Sequence, residues 1–230
     1  MEEAKEIVKS VLSGLRQQPQ ESTQASSIPE QEQRQETTDD ADMDRLFHTS
    51  ISLGGMRAAK TYTAERFNIT QHNKMAVEAA KSFDPIKNNL YIHGPTGSGK
   101  SHLAAVAARR HLDRFGRGAA TWKPQEIARH VRSARDAADE QDRIMGIAES
   151  KLLVIDDLGV QKDTEFMISL LYEIIDFRYM NRPTGMIITS NLSLENLASK
   201  IGEDRIPSRL VQMCRFIGLD GPDQRLELKR

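Results

Sequence analysis

Apolar residues recur along the chain with two alternating periodicities, one typical of buried strands and one typical of amphipathic helices. Short apolar runs predict strands at residues 90–92, 119–122, 152–155, 185–190 and 216–219. Apolar spacings of three and four residues predict helices at 71–83, 100–114 and 194–201, one around 208–213, one that begins at Pro124, and one built on Met167, Leu170, Leu171, Ile174 and Ile175. Strands that alternate with helices indicate an α/β fold with a doubly wound parallel sheet.

Two of the predicted helices have a composition that assigns their buried face. The helix at 71–83 is predicted to bury Met75, Ala76, Ala79, Ala80 and Phe83. The helix after residue 100 has a small-residue face that suits close packing on a sheet, formed by Ala104, Ala105, Ala107 and Ala108.

The first 16 residues carry an apolar stripe at helical spacing, formed by Ile7, Val8, Val11, Leu12 and Leu15. A helix this short is marginal alone in water, so it needs the chain's own body or a partner's groove to lie against. Residues 17–45 are rich in Gln, Glu, Ser, Thr and Asp, and predict a disordered linker. Because this linker would hold the helix away from the body, we favour docking on a partner. The chain is therefore divided into a docking helix at 1–16, the linker at 17–45 and one folded domain at 46–230.

The charge is distributed unevenly along the chain. Residues 1–46 hold 11 acidic and five basic side chains, whereas the whole chain of 230 residues has a formal net charge of −1. An acidic tail therefore conceals a mildly basic body, and that body is compatible with an anionic partner.

Several classes of protein are disfavoured by composition. The only cysteine, Cys214, excludes an internal disulfide and a multi-cysteine zinc site. No apolar run approaches the roughly 20 residues that span a bilayer, and the charged N-terminus lacks a signal-peptide core. We therefore expect a cytoplasmic protein without a membrane partner.

A phosphate-binding loop follows the first predicted strand and opens the next helix. Its spacing, G-x-x-x-x-G-K-S, is formed by Gly94, Pro95, Thr96, Gly97, Ser98, Gly99, Lys100 and Ser101. The glycines let backbone N–H groups point at an anion, Lys100 reaches the β- and γ-phosphates, and Ser101 offers its hydroxyl to Mg²⁺. The sequence therefore predicts that the domain binds ATP and Mg²⁺.

Polar side chains follow two further predicted strands. Asp156 and Asp157 come directly after the apolar run at 152–155, and Asn191 follows the run at 185–190. Ligands of open α/β sheets bind at the carboxyl ends of the strands. Given the loop, we predict that Asp156 binds Mg²⁺ together with Ser101, that Asp157 acts as base or positions the water, and that Asn191 orients the attacking water.

Four motifs in this order resemble the AAA+ ATPases of the DnaC/IstB family, which includes bacterial replicative-helicase loaders and transposase helper ATPases. They read GPTGSGKSHLAA, LLVIDDLG, TSNLSLENL and RIPSRL, and the resemblance spans residues 62–225. It implies an AAA+ P-loop NTPase fold, with Asn191 at the sensor-1 position and Arg209 as an arginine finger that reaches nucleotide on the next subunit. Arg225 is similar to the family's sensor-2 arginine.

An arginine finger implies a head-to-tail contact that repeats into an ATP-dependent ring or open spiral of identical subunits. Many AAA+ proteins have Asp-Glu where this chain has Asp156-Asp157. The shorter second carboxylate lies farther from the water, so we expect slow or partner-stimulated hydrolysis of ATP to ADP and phosphate.

A basic segment lies between the phosphate loop and the aspartate pair. Arg129, Arg132 and Arg135 recur every three residues, which predicts one helix face that follows a nucleic-acid backbone. A solvated helix face is the alternative. Because aromatic residues make up only 5% of the chain, base stacking and sequence preference should be weak.

Three functions remain open from the sequence. The first is a helicase loader, whose N-terminal helix binds the replicative DNA helicase while the body binds single-stranded DNA during initiation or restart. The second is an IstB-type transposition helper that binds duplex DNA and a transposase. The third is a small-molecule P-loop kinase, for which the RIPSRL segment is unnecessary. A short helix on a long tether favours the loader.

Overall fold

Five parallel strands form the centre of the part of the chain that the structure describes. In the computed structural model those residues are 64, 67–115, 119–159, 164–181 and 185–220. The strands are β1 (Asn89–His93), β2 (Ala119–Trp122), β3 (Leu152–Leu158), β4 (Met186–Ser190) and β5 (Cys214–Gly218). Their order is β2-β3-β4-β1-β5, and every neighbouring pair is parallel. The predicted doubly wound sheet is confirmed.

Helices cover both faces of this sheet. They are α1 (Lys74–Lys81), α2 (Lys100–Phe115), α3 (Pro124–Arg132), α4 (Ala137–Ala148), α5 (Glu165–Asn181), α6 (Leu194–Ile201) and α7 (Arg205–Met213). Leu90 and Ile92 pack into the same apolar cluster as α1 and α2. Tyr91, which points to the other face because side chains alternate along a strand, packs into the cluster formed with α3 to α7. The phosphate-loop helix and the α7 helix therefore lie on opposite faces.

The helices confirm most of the pattern and correct two details. The four alanines of α2 and the five predicted apolar residues of α5 are buried. However, α1 begins at Lys74, and Met75 is 81% exposed, because the buried face of this helix is formed by Ala76, Val77, Ala79 and Ala80. The sequence did not predict α4, whose buried side chains, Ile144, Ile147 and Ala148, all lie in its second half.

A buried arginine fixes α5 to the edge of the sheet opposite the phosphate loop. Arg178 is 1% exposed and donates hydrogen bonds to the backbone oxygens of Ala148 at 2.6 Å, Ser150 at 2.8 Å and Gly185 at 2.8 Å. Burial lowers the pKa of this guanidinium to about 10, so it stays charged at neutral pH. These bonds join the last turns of α5 to the segments that enter β3 and β4.

Some predictions fall outside the described residues. They are the docking helix at 1–16, the linker at 17–45, and Arg225. In the ranges that are described, none of the helices has the length and apolar character needed to cross a bilayer.

Candidate nucleotide-binding site

The phosphate loop joins β1 to α2 at the carboxyl edge of the sheet, as predicted. Gly94 has φ +152°, and a Cβ added there would lie 2.2 Å from the carbonyl oxygen of Leu219. Only glycine allows this close approach. The backbone N–H of Gly94 donates to the carbonyl of Ser190 at 3.2 Å, which attaches the loop to the end of β4. Gly97 and Gly99 also have positive φ, at +80° and +96°.

Lys100 is the first residue of α2 and lies inside the loop. It is 5% exposed, and its Nζ donates to the carbonyl oxygens of Gly94 at 3.0 Å and Pro95 at 2.8 Å. The N-terminal end of α2 presents backbone N–H groups and a positive dipole to the same space. A buried ammonium and a helix N-terminus therefore converge where a polyphosphate can bind.

Three oxygen-bearing side chains meet beside the loop. Asp156 Oδ1 accepts hydrogen bonds from Ser101 Oγ at 2.8 Å and from Thr189 Oγ1 at 2.7 Å. Thr189 lies on β4, between the strand that leads into the loop and the strand of the aspartate pair, and its hydroxyl bonds to both aspartates. The sequence predicted Ser101 and Asp156 at this place but missed Thr189, whose signal was its position one residue before the end of a predicted strand.

The oxygens of Ser101 and Asp156 suit a small hard cation such as Mg²⁺, which retains waters and phosphate oxygens as its other ligands. Among the residues that the structure describes, no group of three or more His, Cys, Asp or Glu side chains is placed to hold a metal ion.

Asp157 occupies a strained position next to this centre. Its φ is +64°, and it is the only residue other than glycine with positive φ in the described ranges. Its N–H donates to Thr189 Oγ1 at 2.9 Å, and this bond holds the unusual backbone conformation in place. Such strain is characteristic of functional sites, and here it turns the second carboxylate of the pair toward β2.

The carboxylate of Asp157 pairs with Lys123. The two side chains approach to 3.2 Å, and Lys123 follows the last residue of β2. Burial lowers the pKa of the Lys123 ammonium, but its hydrogen bond to Asp157 and the attraction of the Asp157 and Asp156 charges outweigh this effect and raise it. Lys123 therefore stays charged and holds Asp157 at the rim of the site.

Asn191 lies directly after β4 and contacts the loop. Its Nδ2 donates to Thr96 Oγ1 at 3.3 Å, so the amide of Asn191 lies beside the phosphate loop. The structure thus brings Asn191, Lys100, Ser101, Asp156 and Asp157 to one edge of the sheet.

Arg209 is not part of this cluster. Its Nε donates to Asp176 Oδ1 at 2.8 Å, and its guanidinium lies 4.4 Å from the centroid of the Tyr179 ring, so it contacts α5. The Asp176 hydrogen bond raises the pKa of Arg209, against a smaller opposing effect of burial, so the side chain is cationic at neutral pH. The structure therefore separates Arg209 from the phosphate loop of its own chain.

The predicted basic face is shorter than expected. Arg129 and Arg132 are exposed on α3, and the Arg132 guanidinium lies 4.7 Å from the centroid of the Phe166 ring. Because α3 ends at Arg132, Arg135 lies beyond the helix, where its Nε is 3.3 Å from Asp139 Oδ2. Arg135 therefore does not share a helix face with the other two.

A protein-family model covers nearly the whole chain. The model described as "IstB-like ATP binding protein" matches residues 11–230. The chain belongs to the IstB-like ATP-binding family. This membership agrees with the loop geometry, and it confirms the family that the four sequence motifs resemble.

Two curated relatives show the range of the family. The chain is 28% identical over 138 residues to "Replicative helicase loader DnaC" of Escherichia coli (strain K12), a match that covers 59% of this chain and 55% of the relative. It is 26% identical over 155 residues to "Insertion sequence IS5376 putative ATP-binding protein" of Geobacillus stearothermophilus, over 65% of this chain and 60% of the relative. The chain thus spans little more than half the length of these curated relatives.

A solved structure shows the same fold. The crystal structure of the DnaC helicase loader superposes with a TM-score of 0.59 and 24% sequence identity, over 71% of this chain and 99% of that chain. At this identity the likeness establishes the fold, and the predicted AAA+ P-loop fold is confirmed.

Proposed function

We propose that this protein is an ATPase whose nucleotide site is completed by a neighbouring copy of the chain. Lys100 and the loop N–H groups hold the phosphates of ATP, and Ser101 and Asp156 hold Mg²⁺, which neutralises phosphate charge. Asp157 accepts the proton of the attacking water, and Asn191 orients that water. Arg209 of the neighbour stabilises the charge that develops on the γ-phosphate.

The observation that carries this proposal is the position of Arg209. A small-molecule P-loop kinase needs its cationic groups around its own phosphates. Here α7 carries a charged arginine on the face opposite α2, held at the surface with its side chain 29% exposed. In the head-to-tail contact that we propose between copies, this side chain reaches the next site, a role that a small-molecule kinase does not require.

Asp157 and Lys123 support slow hydrolysis in the absence of partners. The carboxylate that would act as base is already paired with an ammonium 3.2 Å away, and it is one methylene shorter than glutamate. Assembly or partner binding can raise the rate by releasing Asp157 from Lys123. The sensor-2 role of Arg225 is part of the same proposal and rests on the sequence resemblance.

Within the family, we favour a helicase loader that acts in replication initiation or restart. The apolar stripe at 1–16 and the polar tether at 17–45 suit capture of a surface on the replicative helicase. A transposition helper is the second candidate, because the insertion-sequence protein matches as much of the chain as DnaC does. The two differ in partner, so partner capture distinguishes them.

We expect the full-length chain, with ATP and Mg²⁺, to retain the host replicative helicase in a pull-down. A version lacking residues 1–45 should lose the helicase but still bind ATP, because the phosphate loop lies in the remaining domain. ATP binding by the shortened chain serves as the folding control. Failure of the full-length chain to capture the helicase contradicts the loader function, and capture of a transposase in its place supports the helper.

Single-stranded DNA is the proposed partner of α3. Arg129 and Arg132 are exposed on one face of this helix, and Arg135 follows it as a third candidate with its side chain 85% exposed. Cations spaced along a surface bind the phosphate backbone and release counterions. We therefore assign this surface to the backbone of the strand and not to its bases.

Neutralising both helix arginines, by Arg129→Gln with Arg132→Gln, should weaken single-stranded DNA binding. Loss of two phosphate contacts should also reduce the slope of log affinity against log salt by about 1.4. Fluorescence anisotropy at several salt concentrations measures both quantities. The matched control is Lys74→Gln with Lys81→Gln on α1, which should leave the slope unchanged. An unchanged affinity and slope in the α3 variant would remove this surface from the DNA site.

A further inference from the structure

Three side chains of α5, Asp176, Tyr179 and Tyr172, interact with Arg209 of α7. Asp176 accepts from Arg209 Nε at 2.8 Å, and the Tyr179 ring lies under the guanidinium at 4.4 Å. The Tyr179 hydroxyl returns to α7, where it donates to Gln212 Oε1 at 2.6 Å. Residues three apart share a helix face, so both pairs, 176 with 179 and 209 with 212, face each other.

We propose that Asp176 and Tyr179 are positioning residues that fix Arg209 in the orientation in which it reaches ATP bound to a neighbouring copy of the chain. This inference rests on the proposed role of Arg209 at the next subunit. Asp176 fixes the guanidinium of Arg209 through its hydrogen bond to Nε. Tyr179 fixes the plane of the same group by stacking against it. The partial exposure of the side chain, 29%, leaves the arginine accessible to a second molecule.

These contacts order the Arg209 side chain before two copies of the chain assemble. A free arginine side chain loses much rotamer entropy when it is fixed, and that loss opposes its contact with the transition state. An arginine that is already ordered loses less entropy on contact. Asp176 and Tyr179 should therefore affect kcat rather than ATP affinity. Because ATP binds in the loop of the other subunit, Asp176 and Tyr179 of one copy are expected to affect hydrolysis only at the site of the neighbouring copy.

Asp176 and Tyr179 lie on a part of α5 that is attached to the sheet. Arg178, which lies between them in sequence, is buried and bonded to three backbone oxygens at the segments that enter β3 and β4. The last turns of α5 therefore do not shift independently of the strands that carry Asp156 and Thr189. This attachment gives Arg209 a defined position relative to the sheet.

The test is the steady-state ATPase of the full-length chain at saturating Mg²⁺. Asp176→Ala should lower kcat by about 10- to 100-fold, while the affinity for ATP changes less than about twofold. Asp176→Glu, which keeps the carboxylate, should recover most of the rate. Glu173→Ala, an exposed acidic residue one turn earlier on α5, is the matched control and should keep the wild-type kcat.

A mixing experiment separates positioning from damage to the fold. Subunits with Asp157→Asn bind ATP but lack the proposed base, and they keep Arg209, Asp176 and Tyr179. Adding them to Asp176→Ala subunits should therefore restore turnover. Tyr179→Leu should show the same loss and the same recovery, and it provides a second variant if Asp176→Ala fails to fold. Absence of recovery for a variant that still binds ATP overturns the positioning role.

The kinetics of the single variants distinguish the positioning role of Asp176 and Tyr179 from the role of Arg209 itself. If Arg209→Ala loses activity while Asp176→Ala and Tyr179→Leu keep the wild-type kcat, the positioning role of Asp176 and Tyr179 is contradicted. The proposed role of Arg209 is then unaffected. If Arg209→Ala itself keeps the wild-type kcat, the proposed function fails at the composite site.

Discussion

Replacing Lys100 with alanine is expected to abolish measurable ATP binding at micromolar nucleotide. The Lys100 ammonium is 5% exposed inside the loop, so it meets the phosphates away from bulk water. Hydrogen bonds between charged groups are about twice as strong as neutral ones, and we expect at least a 100-fold loss of affinity, about 2.7 kcal/mol. Titration with a fluorescent ATP analogue measures the change.

A matched lysine tests whether this loss is specific. Lys151 is exposed just before β3, at the edge of the sheet opposite the loop. Lys151→Ala should bind ATP as the unaltered chain does. An unchanged affinity in Lys100→Ala would mean that the loop is not the nucleotide site.

Replacing Arg209 with alanine should leave ATP affinity within about threefold and slow hydrolysis by about 10³ to 10⁵-fold, the range known for arginine fingers. That factor corresponds to about 4 to 7 kcal/mol of barrier. Binding should survive because Arg209 interacts with Asp176, Tyr179 and Tyr172 of α5 and not with the loop of its own chain. Steady-state phosphate release and nucleotide titration on the same preparation separate the two effects.

Arg205 provides the control for this variant. It lies one turn earlier on α7, pairs with Glu203 and stacks at 4.4 Å over the ring of Tyr172. Arg205→Ala should retain most of the hydrolysis rate. If Arg205→Ala carries the large loss and Arg209→Ala does not, the finger is assigned to the wrong arginine.

Much of the fold follows from the periodicity of apolar residues. The strands were predicted because runs such as 152–155 are apolar at every position, as expected of strands buried on both faces. The α4 helix was missed because its first half is polar and its buried positions come only after Arg143. Met75 was placed on the wrong face because an apolar residue at the flank of a stripe is indistinguishable by spacing from one at its centre.

The candidate site was predictable where a residue stands at the end of a strand within a motif. The loop, Asp156 and Asn191 satisfy that condition, and the structure brings them to one edge. The contacts of Thr189 and Lys123 depend on the strand order β2-β3-β4-β1-β5, which sequence spacing does not specify. The packing of α7 on α5 is likewise a tertiary feature, so Asp176 carried no signal as a partner of Arg209.

The central claim is that one copy of the chain supplies the arginine for ATP bound to another. Mixing Asp157→Asn subunits with Arg209→Ala subunits tests it most directly. The first keep the phosphate loop, so they bind ATP and assemble, but they lack the proposed base, and the second lack the arginine. In an equal mixture that assembles at random, about a quarter of the sites pair an intact Asp157 with an intact Arg209 from the neighbour. We predict recovery of about a quarter of the unaltered rate, and a mixture as inactive as its two components would contradict the claim.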